Sequence, residues 1–503
     1  MKSKKSTKVG YSIIWTIQLI FEALTAVLLW KLDMLPMKYF AALLVLLVLG
    51  AVVTRIMMVR KAGKWQREGR SPRRIVGCVL SVVMIALCAV ASYAVLKLNN
   101  TFSAITGNKT VSSVVGVYVL ADDPAQSIED AADYTFAVSG TYDAEEVQAA
   151  IDEIETELSC ELAIQSYDTS FAMVDALYAK NVDAILMSES YIDILESQEG
   201  YEDFSDRTRE LSIHIVEKKS DSLGDSVKNV IAAVKDPTKE PFLVYISGND
   251  ARRELLANGG SDVNILVAVN PEAKQILLVN TPRDYFVANP AGDGAKDKLT
   301  HCGLYGIECS IEAMTLLYGQ PISYYAKINF NGFRTLVDAL GGVTVYSDVA
   351  FTAGGTNIKQ GENHLNGTQA LAFARERKNL SGGDNDRGKN QMKLIAAMID
   401  QLSAGNLLAN YADILSSLEG MFTTDMPMDT ISGLVKMQLS DMSGWDVLSF
   451  AVTGSNGKDA PYALGGLYAY VMYPNEADVA HASDLIGRVL NGEVLTEADL
   501  SVN

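Results

Sequence analysis

Arginine suits phosphate because its planar fork donates two hydrogen bonds at once and never loses its charge. The run Ala370–Arg377 reads Ala-Leu-Ala-Phe-Ala-Arg-Glu-Arg, which sets Arg375 and Arg377 two residues apart. If the end of this run is a strand, both guanidiniums point to one face and repel unless an anion lies between them. The stretch Gly383-Asp-Asn-Asp-Arg-Gly-Lys-Asn-Gln391 follows and opens a helix. Asp384 or Asp386 can cap that helix, whose N-terminus favours an anion. The competing reading is a solvated charge run in which Asp384 and Asp386 pair with the arginines. On these residues alone both readings stay open.

Three more places carry polar residues at the ends of apolar runs. Asp250, in Ser247-Gly-Asn-Asp-Ala-Arg252, follows one run, and Asp262, in Gly260-Ser-Asp262, precedes the next. Two carboxylates at strand ends can share one Mg²⁺, with water and phosphate oxygens completing its shell; they can equally be turn-forming aspartates. Thr281-Pro-Arg283-Asp284 follows Ile276–Val279, so proline ends the strand and aims Arg283 outward. Lys296-Asp-Lys298-Leu-Thr-His301 is a polar loop before a glycine-rich turn. Each of these, taken singly, is an ordinary surface loop.

The elements that must position these residues form an α/β domain over 241–495. Strands are expected at Phe242–Ile246, Asn264–Val269, Gln275–Asn280, Tyr325–Ile328 and Val343–Tyr346. Helices are expected at Ser310–Leu317 and Gly332–Leu340, the second closed by Gly341-Gly342. Core motifs occupy 241–405. The part from 406 to 495 reads as mostly helical, with one strand near Val447–Val452. Before this domain, residues 133–217 alternate strand and helix in a βαβαβ order that argues for a small parallel sheet. This accessory α/β domain shows no Gly-rich phosphate loop and no catalytic cluster. Residues 99–132 read as a linker with one possible strand, Val114–Leu120, and 218–240 as a connector.

The first 98 residues differ from the rest. They carry 15 Lys/Arg against 3 Asp/Glu, whereas the remainder carries 27 against 58. The acidic majority argues against a nucleic-acid partner. The basic part holds three apolar runs, Val9–Trp30, Met37–Val59 and Ile75–Leu96, and the last has 22 residues without a charge. At ~1.5 Å per residue such a run crosses a bilayer, so 1–98 reads as a three-helix membrane anchor. Basic residues flank the first span (Lys2, Lys4, Lys5, Lys8) and fill the segment between the second and third (Arg55 to Arg74). Both should be cytoplasmic. Three crossings then place everything after Leu96 outside the cytoplasmic membrane. Glu22, in mid-span, is expected to be neutral and hydrogen-bonded to another span. Cys302 and Cys309 can form a disulfide in an oxidising exterior or remain thiols, and His301 beside them lacks the further ligands a zinc site needs.

In their order, the blocks resemble the LytR–CpsA–Psr family of cell-wall glycopolymer ligases. The matching pieces are Asn249-Asp250-Ala-Arg, Ser261-Asp262, Thr281-Pro-Arg-Asp284, Asp297-Lys-Leu-Thr-His301 and Leu336-Val-Asp-Ala-Leu-Gly-Gly-Val343. Gly361-Glu-Asn-His-Leu-Asn-Gly367, Ala370–Lys378 and Gly383–Gln391 complete the set. The three-span anchor with an intervening domain is similar to the CpsA branch. The resemblance implies transfer of a glycan phosphate from an undecaprenyl-pyrophosphate carrier to peptidoglycan. It implies that Asp250 and Asp262 bind Mg²⁺, and that Arg283, Lys298, Arg375, Arg377, Arg387 and Gln391 hold the pyrophosphate. Asp384 would orient the arginines. Arg283, Arg375, Arg377, Asp262 and Asp384 are the residues on which catalysis is expected to rest, with Asp262 or Asp250 as general base. Two departures stand out: Asn280-Thr281 before Pro-Arg-Asp, and Asn390 where many members carry a second arginine.

Phosphoryl transfer needs alignment and charge neutralisation more than covalent help. A polyprenyl tail also needs an apolar tunnel, for which Phe330, Phe333 and Leu336 are candidates, with core packing the competing assignment. Two other functions fit the same residues: a pyrophosphatase that releases the carrier, and a non-catalytic envelope sensor or scaffold.

Overall fold

The computed structural model describes residues 2–59, 72–106, 110–140, 143–219, 233–250, 259–402 and 420–502. Arg60 to Arg70, Arg252 and most of the connector lie outside them. Helices α1 (Lys2–Leu32), α2 (Met37–Val59) and α3 (Pro72–Thr106) contain segments long and apolar enough to cross a bilayer. Their polar side chains bond among themselves. Gln18 donates to Glu22 at 2.7 Å and accepts from Thr54 at 3.0 Å and Ser81 at 2.6 Å. The bond that Glu22 makes is therefore within its own helix, not to another span as expected. Gln18 is the residue that ties α1 to both neighbours.

The helix α3 runs ten residues past the expected end of its span. Its extension packs on the last domain of the chain: Phe102 joins a cluster with Met428 and Ile431, and Ile105 one with Leu340 and Phe422. The α1–α2 link reaches the same place. Lys436 pairs with Asp33 at 2.7 Å, and Lys38 donates to Ser440 O at 2.5 Å. One end of the anchor is thus docked on that last domain.

The expected linker contains a full strand. β1 (Thr110–Leu120) pairs antiparallel with both β4 (Ala184–Ser188) and β5 (Thr208–Lys219). β2 (Thr135–Ser139), β3 (Ala163–Tyr167) and β4 supply the expected parallel part, so the order is β3-β2-β4-β1-β5 and the sheet is mixed. The Ser/Thr-rich start of β1 masked it. Its alternation does not: Val115, Val117 and Val119 pack under α4 (Ala144–Leu158), while Tyr118 faces the side covered by α5 (Ser170–Tyr178).

Asp143, just before α4, is buried and accepts from the Ser188 N–H at 2.8 Å. Burial pushes its carboxyl up to about 6. A raised carboxyl pKa means that the folded state prefers the proton, so stability falls as pH rises from about 4 to about 6. Asp143→Asn keeps an acceptor and removes the charge. It should add on the order of 2 kcal/mol at pH 7 and flatten that pH dependence, read by urea unfolding at several pH values.

The last domain is built on a six-stranded mixed sheet. Its members are β6 (Phe242–Asn249), β7 (Val263–Asn270), β8 (Gln275–Asn280), β11 (Tyr324–Asn329), β16 (Phe422–Thr424) and β17 (Asp446–Ala451). The order is β16-β11-β6-β7-β8-β17. Smaller pairs decorate it: β9 (Phe286–Ala288) with β10 (Lys296–Lys298), β12 (Val343–Ser347) with β15 (Gly361–Leu365), and β13 (Phe351–Ala353) with β14 (Thr356–Ile358). β18 (Gly454–Asp459) and β19 (Ala469–Pro474) form a last hairpin. Among its described residues, the part beyond 405 holds more strand than the one expected: both edge strands of the main sheet and this hairpin, beside the helices Met428–Asp441 and Glu476–Leu490. The two faces are covered differently. Helices Ile307–Tyr318 and Glu476–Leu490 cover the face that carries Leu243, Tyr245 and Leu277. Helices Asp384–Gln401 and Met428–Asp441 cover the face that carries Phe242, Ile276 and Leu278.

Candidate functional site

Strand direction gathers the site. β11 runs parallel to β6, β17 runs parallel to β8, and β7 is antiparallel to both β6 and β8. Four strands thus end at one edge of the sheet, where the fifth, β7, begins. In open α/β sheets this carboxyl edge is where ligands bind. Asp250 follows β6, Asp262 precedes β7, Arg283 lies just past β8, and Phe330 follows β11.

The loops at this edge are knit by backbone bonds. The Asp262 N–H donates to Gly248 O at 2.7 Å, Ser261 N–H to Thr300 O at 3.0 Å, and Thr300 N–H to Arg283 O at 2.8 Å. His301 and Asn289 both bond Asp297, the first at 2.5 Å and the second at 3.1 Å, which fixes the loop carrying Lys298. The long helix Asp384–Gln401 lies against the end of β8. A Cβ on Gly388 would sit 2.0 Å from the Asn280 amide, so only glycine allows that approach.

One cavity of about 380 Å³ opens here. Arg283, Lys298, Arg375, Arg377, Arg387, Gln391, Asp250 and Asp262 all line it, so of the residues singled out in the sequence only Asp384 stands behind the lining. Arg375 and Arg377 do not lie on a strand. The helix Gly367–Arg375 ends at Arg375, and Glu376 is extended with φ −67° and ψ 127°, which turns both guanidiniums into the cavity. Neither Asp384 nor Asp386 caps the next helix. Its N-cap is Gly383, at φ 56°, and both aspartates sit in the first turn, where they favour the helix dipole.

Carboxylates hold the cations in place. Arg283 pairs with Asp262 at 2.6 Å and lies 3.7 Å from Asp284, which also meets Lys298 at 3.3 Å. Arg375 pairs with Asp250 at 2.6 Å and stacks on the Phe330 ring at 4.8 Å. Arg387 pairs with Asp384 at 2.5 Å. Arg377 makes no ion pair among the described residues. Burial works against the Arg283 charge, but Asp262 and Asp284 outweigh it and its pKa rises. Burial lowers Arg387 despite Asp384, and raises Asp384 despite Arg387. Such an arrangement can accept an anion that takes over part of the carboxylates' role.

Cys302 and Cys309 are buried free thiols. They touch each other, and Cys309 donates to Asn289 Oδ1 at 3.3 Å, so the optional disulfide is not formed. The tunnel candidates fall elsewhere. Phe330 belongs to the arginine-lined cavity, Phe333 packs in the core with Val337 and Phe373, and Leu336 packs beside Ile105 and Leu340. A separate apolar cavity of about 380 Å³ lies between the sheet and the helices Asp384–Gln401 and Met428–Asp441. Ile246, Val267, Ile395, Ile399, Leu434 and Trp445 line it.

Residues 210–478 match the LytR_cpsA_psr family profile. The chain belongs to the LytR–CpsA–Psr family. It is 30% identical over 258 residues to the Bacillus mycoides (strain KBAB4) polyisoprenyl-teichoic acid–peptidoglycan teichoic acid transferase TagU, covering 51% of this chain and 82% of that one. The protein of the same name from Enterococcus faecalis (strain ATCC 700802 / V583) is 34% identical over 196 residues, 38% of this chain and 63% of that one. Among solved structures, B. subtilis TagV has a TM-score of 0.42 at 25% identity, with 51% of this chain and 99% of that one covered. TagT bound to LI-WTA has a TM-score of 0.41 at 25% identity, with 52% and 94% covered.

Two departures within this LytR–CpsA–Psr domain now have places. Asn280 meets Gly388, and the Thr281 hydroxyl bonds Tyr318 at 2.7 Å, so both serve packing below the site. Asn390 is buried away from the cavity, and its Nδ2 has no hydrogen-bond partner among the described residues. Asp284 was quoted in a motif without a role, and it turns out to join Arg283 to Lys298. Glu189, Ser190, Asp193 and Ser197 of the accessory domain also line the cavity. Nothing local in the sequence marked these four, because their place depends on how two domains dock.

Proposed function

We propose that this protein transfers a glycopolymer phosphate from a polyprenyl-pyrophosphate carrier to peptidoglycan. The observation that supports this best is the convergence of Arg283, Lys298, Arg375, Arg377 and Arg387, from four separate stretches, on one cavity at the carboxyl edge of the sheet. Arg377 makes no ion pair among the described residues, and a pyrophosphate could take the place of the carboxylates now paired with Arg283, Lys298 and Arg375, whose donors suit its oxygens.

In this reading the cations grip both phosphates. An acceptor sugar hydroxyl attacks the glycan-bearing phosphorus, a new P–O bond forms, and the bond to the lipid phosphate breaks. Polyprenyl phosphate leaves with the bridging oxygen, and the hydroxyl proton passes to Asp250 or Asp262. The same two carboxylates fit a magnesium ion. They line one cavity, and the described residues contain no cluster of three or more His, Cys, Asp or Glu. Two protein oxygens supplemented by phosphate and water is how Mg²⁺ is commonly held. Bound there, the ion would neutralise charge on the phosphates.

The anchor suits a lipid substrate. Its α1–α2 link and the end of α3 touch the catalytic domain. Arg55, Arg73 and Arg74 lie toward the opposite end, which agrees with a cytoplasmic location for that end and an external catalytic domain.

The test is a reconstituted assay with the full chain, a polyprenyl-pyrophosphate glycan, Mg²⁺ and peptidoglycan fragments. A phosphodiester-linked glycan should form only when acceptor is present, and chelation should suppress it. Release of glycan phosphate at the same rate without acceptor would make the protein a pyrophosphatase. Full cellular function of Arg377→Ala would favour a sensor or scaffold.

A further inference from the structure

The hairpin β18–β19 stands beside the arginine cavity and presents tyrosine rings to solvent. Burial alternates at the start of β19. Ala469 and Val471 are buried, whereas Tyr470 is 44% exposed and Tyr468, one residue before the strand, is 64% exposed. The buried side holds the hairpin in place. The Met472 N–H donates to Asp284 O at 2.8 Å, which ties β19 to the residue that joins Arg283 and Lys298. Between the two strands, Ala463 and Leu464 pack with Tyr191, Ile192 and Leu195, which back the accessory wall of the cavity. The Tyr470 ring is itself fixed, because its hydroxyl donates to Asn456 Oδ1 at 2.8 Å. Burial raises the pKa of that hydroxyl, Asp284 and Asp384 add to the rise, and Arg377 opposes it. Tyr470 therefore stands at the edge of the cation cluster, just outside the residues that line the cavity.

A pyranose suits such a surface. Its C–H groups carry slight positive charge and meet the negative face of an aromatic ring, while its hydroxyls stay in water. Position selects which sugar. Along the helix Asp384–Gln401, Ile395 and Ile399 line the apolar cavity, Arg387 and Gln391 line the arginine cavity, and Asp384, in the first turn, acts on Tyr470. In the transferase reading the lipid phosphate leaves toward the apolar end of that helix. In-line displacement brings the attacking hydroxyl from the opposite side, which is the side of the tyrosines. These rings do not face the anchor. Through Met472 the hairpin joins the core on one face of the sheet, whereas the anchor packs on the helix Met428–Asp441 of the other face. We propose that Tyr468 and Tyr470 form a stacking platform for the acceptor, a pyranose of a peptidoglycan strand whose hydroxyl is thereby led to the glycan-bearing phosphorus. The inference rests on the transferase reading and adds to it the place where the acceptor binds.

The experiment uses the full-length protein in lipid nanodiscs, a polyprenyl-pyrophosphate glycan as donor and a soluble peptidoglycan oligosaccharide as acceptor. In the double variant Tyr468→Ala/Tyr470→Ala, the KM for acceptor should rise about tenfold. The KM for donor should not move, and an unchanged melting temperature should show that the fold persists. Tyr470→Phe keeps the ring and loses only the bond to Asn456, so its acceptor KM should stay within about twofold of wild type. A second measurement needs no transfer: a soluble tetramer of β-1,4-linked N-acetylglucosamine, titrated calorimetrically, should bind the double variant about tenfold more weakly than the wild type. An acceptor KM and a tetramer affinity both within about threefold of wild type in the double variant would overturn the platform while leaving the transferase intact. Equal rises in KM for donor and acceptor would overturn it too, because the rings would then serve the site as a whole. A wild type that forms no phosphodiester with any acceptor would overturn the transferase reading, and with it the platform's role as acceptor site.

Discussion

Arg283→Ala should lower kcat for glycan transfer by about 10³-fold without unfolding the domain. Arg283 sits where the two largest electrostatic effects meet. It pairs with Asp262 at 2.6 Å and neighbours Asp284 at 3.7 Å, and those carboxylates more than offset the burial that opposes its charge. Truncation therefore does two things. It removes a donor that would bear on the developing charge of the leaving phosphate, and it leaves two carboxylates facing an anion without their shared cation. Arg283→Lys restores the charge but not the fork, so about 10²-fold should remain lost. Arg375→Ala should cost less, because Arg375 is half-exposed and its partner Asp250 stays hydrated. Single-turnover rates with a saturating lipid donor would separate chemistry from binding. Activity of Arg283→Ala within about threefold of wild type would remove Arg283 from the proposed mechanism.

Much of this site was legible because its parts obey short-range rules. Apolar runs ended by Pro282 or by Gly-Asn-Asp mark strand ends, and the sheet needs only parallel strands to bring those ends to one edge. The strands β6, β7, β8, β11 and β17 accordingly lie within a few residues of where alternation and turn residues put them. Features that depend on partners were less visible. The edge strand β16 has three residues, too few for any period to show, and β18 reads Gly-Ser-Asn-Gly-Lys-Asp, which carries no apolar signal at all. On a strand, Arg375 and Arg377 would share one face. A helix that stops at Arg375, followed by one extended residue, gives the same convergence by another route. Glu22 and Gln18 show the same limit: composition places polar groups in the spans, but only packing decides which of them bridges. The accessory wall is the extreme case, since its residues gain their place from a docking surface made with Ala463 and Leu464, more than 260 positions later.

The second large effect concerns the lipid tail. Arg387, Gln391, Ile395 and Ile399 are spaced by four along the helix Asp384–Gln401, so they form one stripe. The first two line the phosphate-side cavity and the last two the apolar cavity. From Arg387 to Ile399 the stripe advances ~18 Å at 1.5 Å per residue, which sets a charged end and an apolar end along one helix. The helix Met428–Asp441 closes the apolar cavity with Leu434 and Val435, and its Met428 and Ile431 pack on Leu32, Val95 and Phe102 of the anchor. A chain leaving a bilayer beside the anchor would thus meet an apolar cleft before the phosphate site. Burial of each carbon of the chain contributes roughly 0.8 kcal/mol, so even one isoprene unit seated there, about 4 kcal/mol, accounts for about 10³-fold in affinity. Ile395→Trp should fill the cavity and cost about that factor with a long-chain donor. A short-chain, water-soluble pyrophosphate donor should be transferred at an unchanged rate, because Gln391 and Arg387 lie about one and two turns away toward the helix start. Equal losses with both donors would mean that the substitution disturbs the phosphate site, and the apolar cavity would then have no claim to the tail.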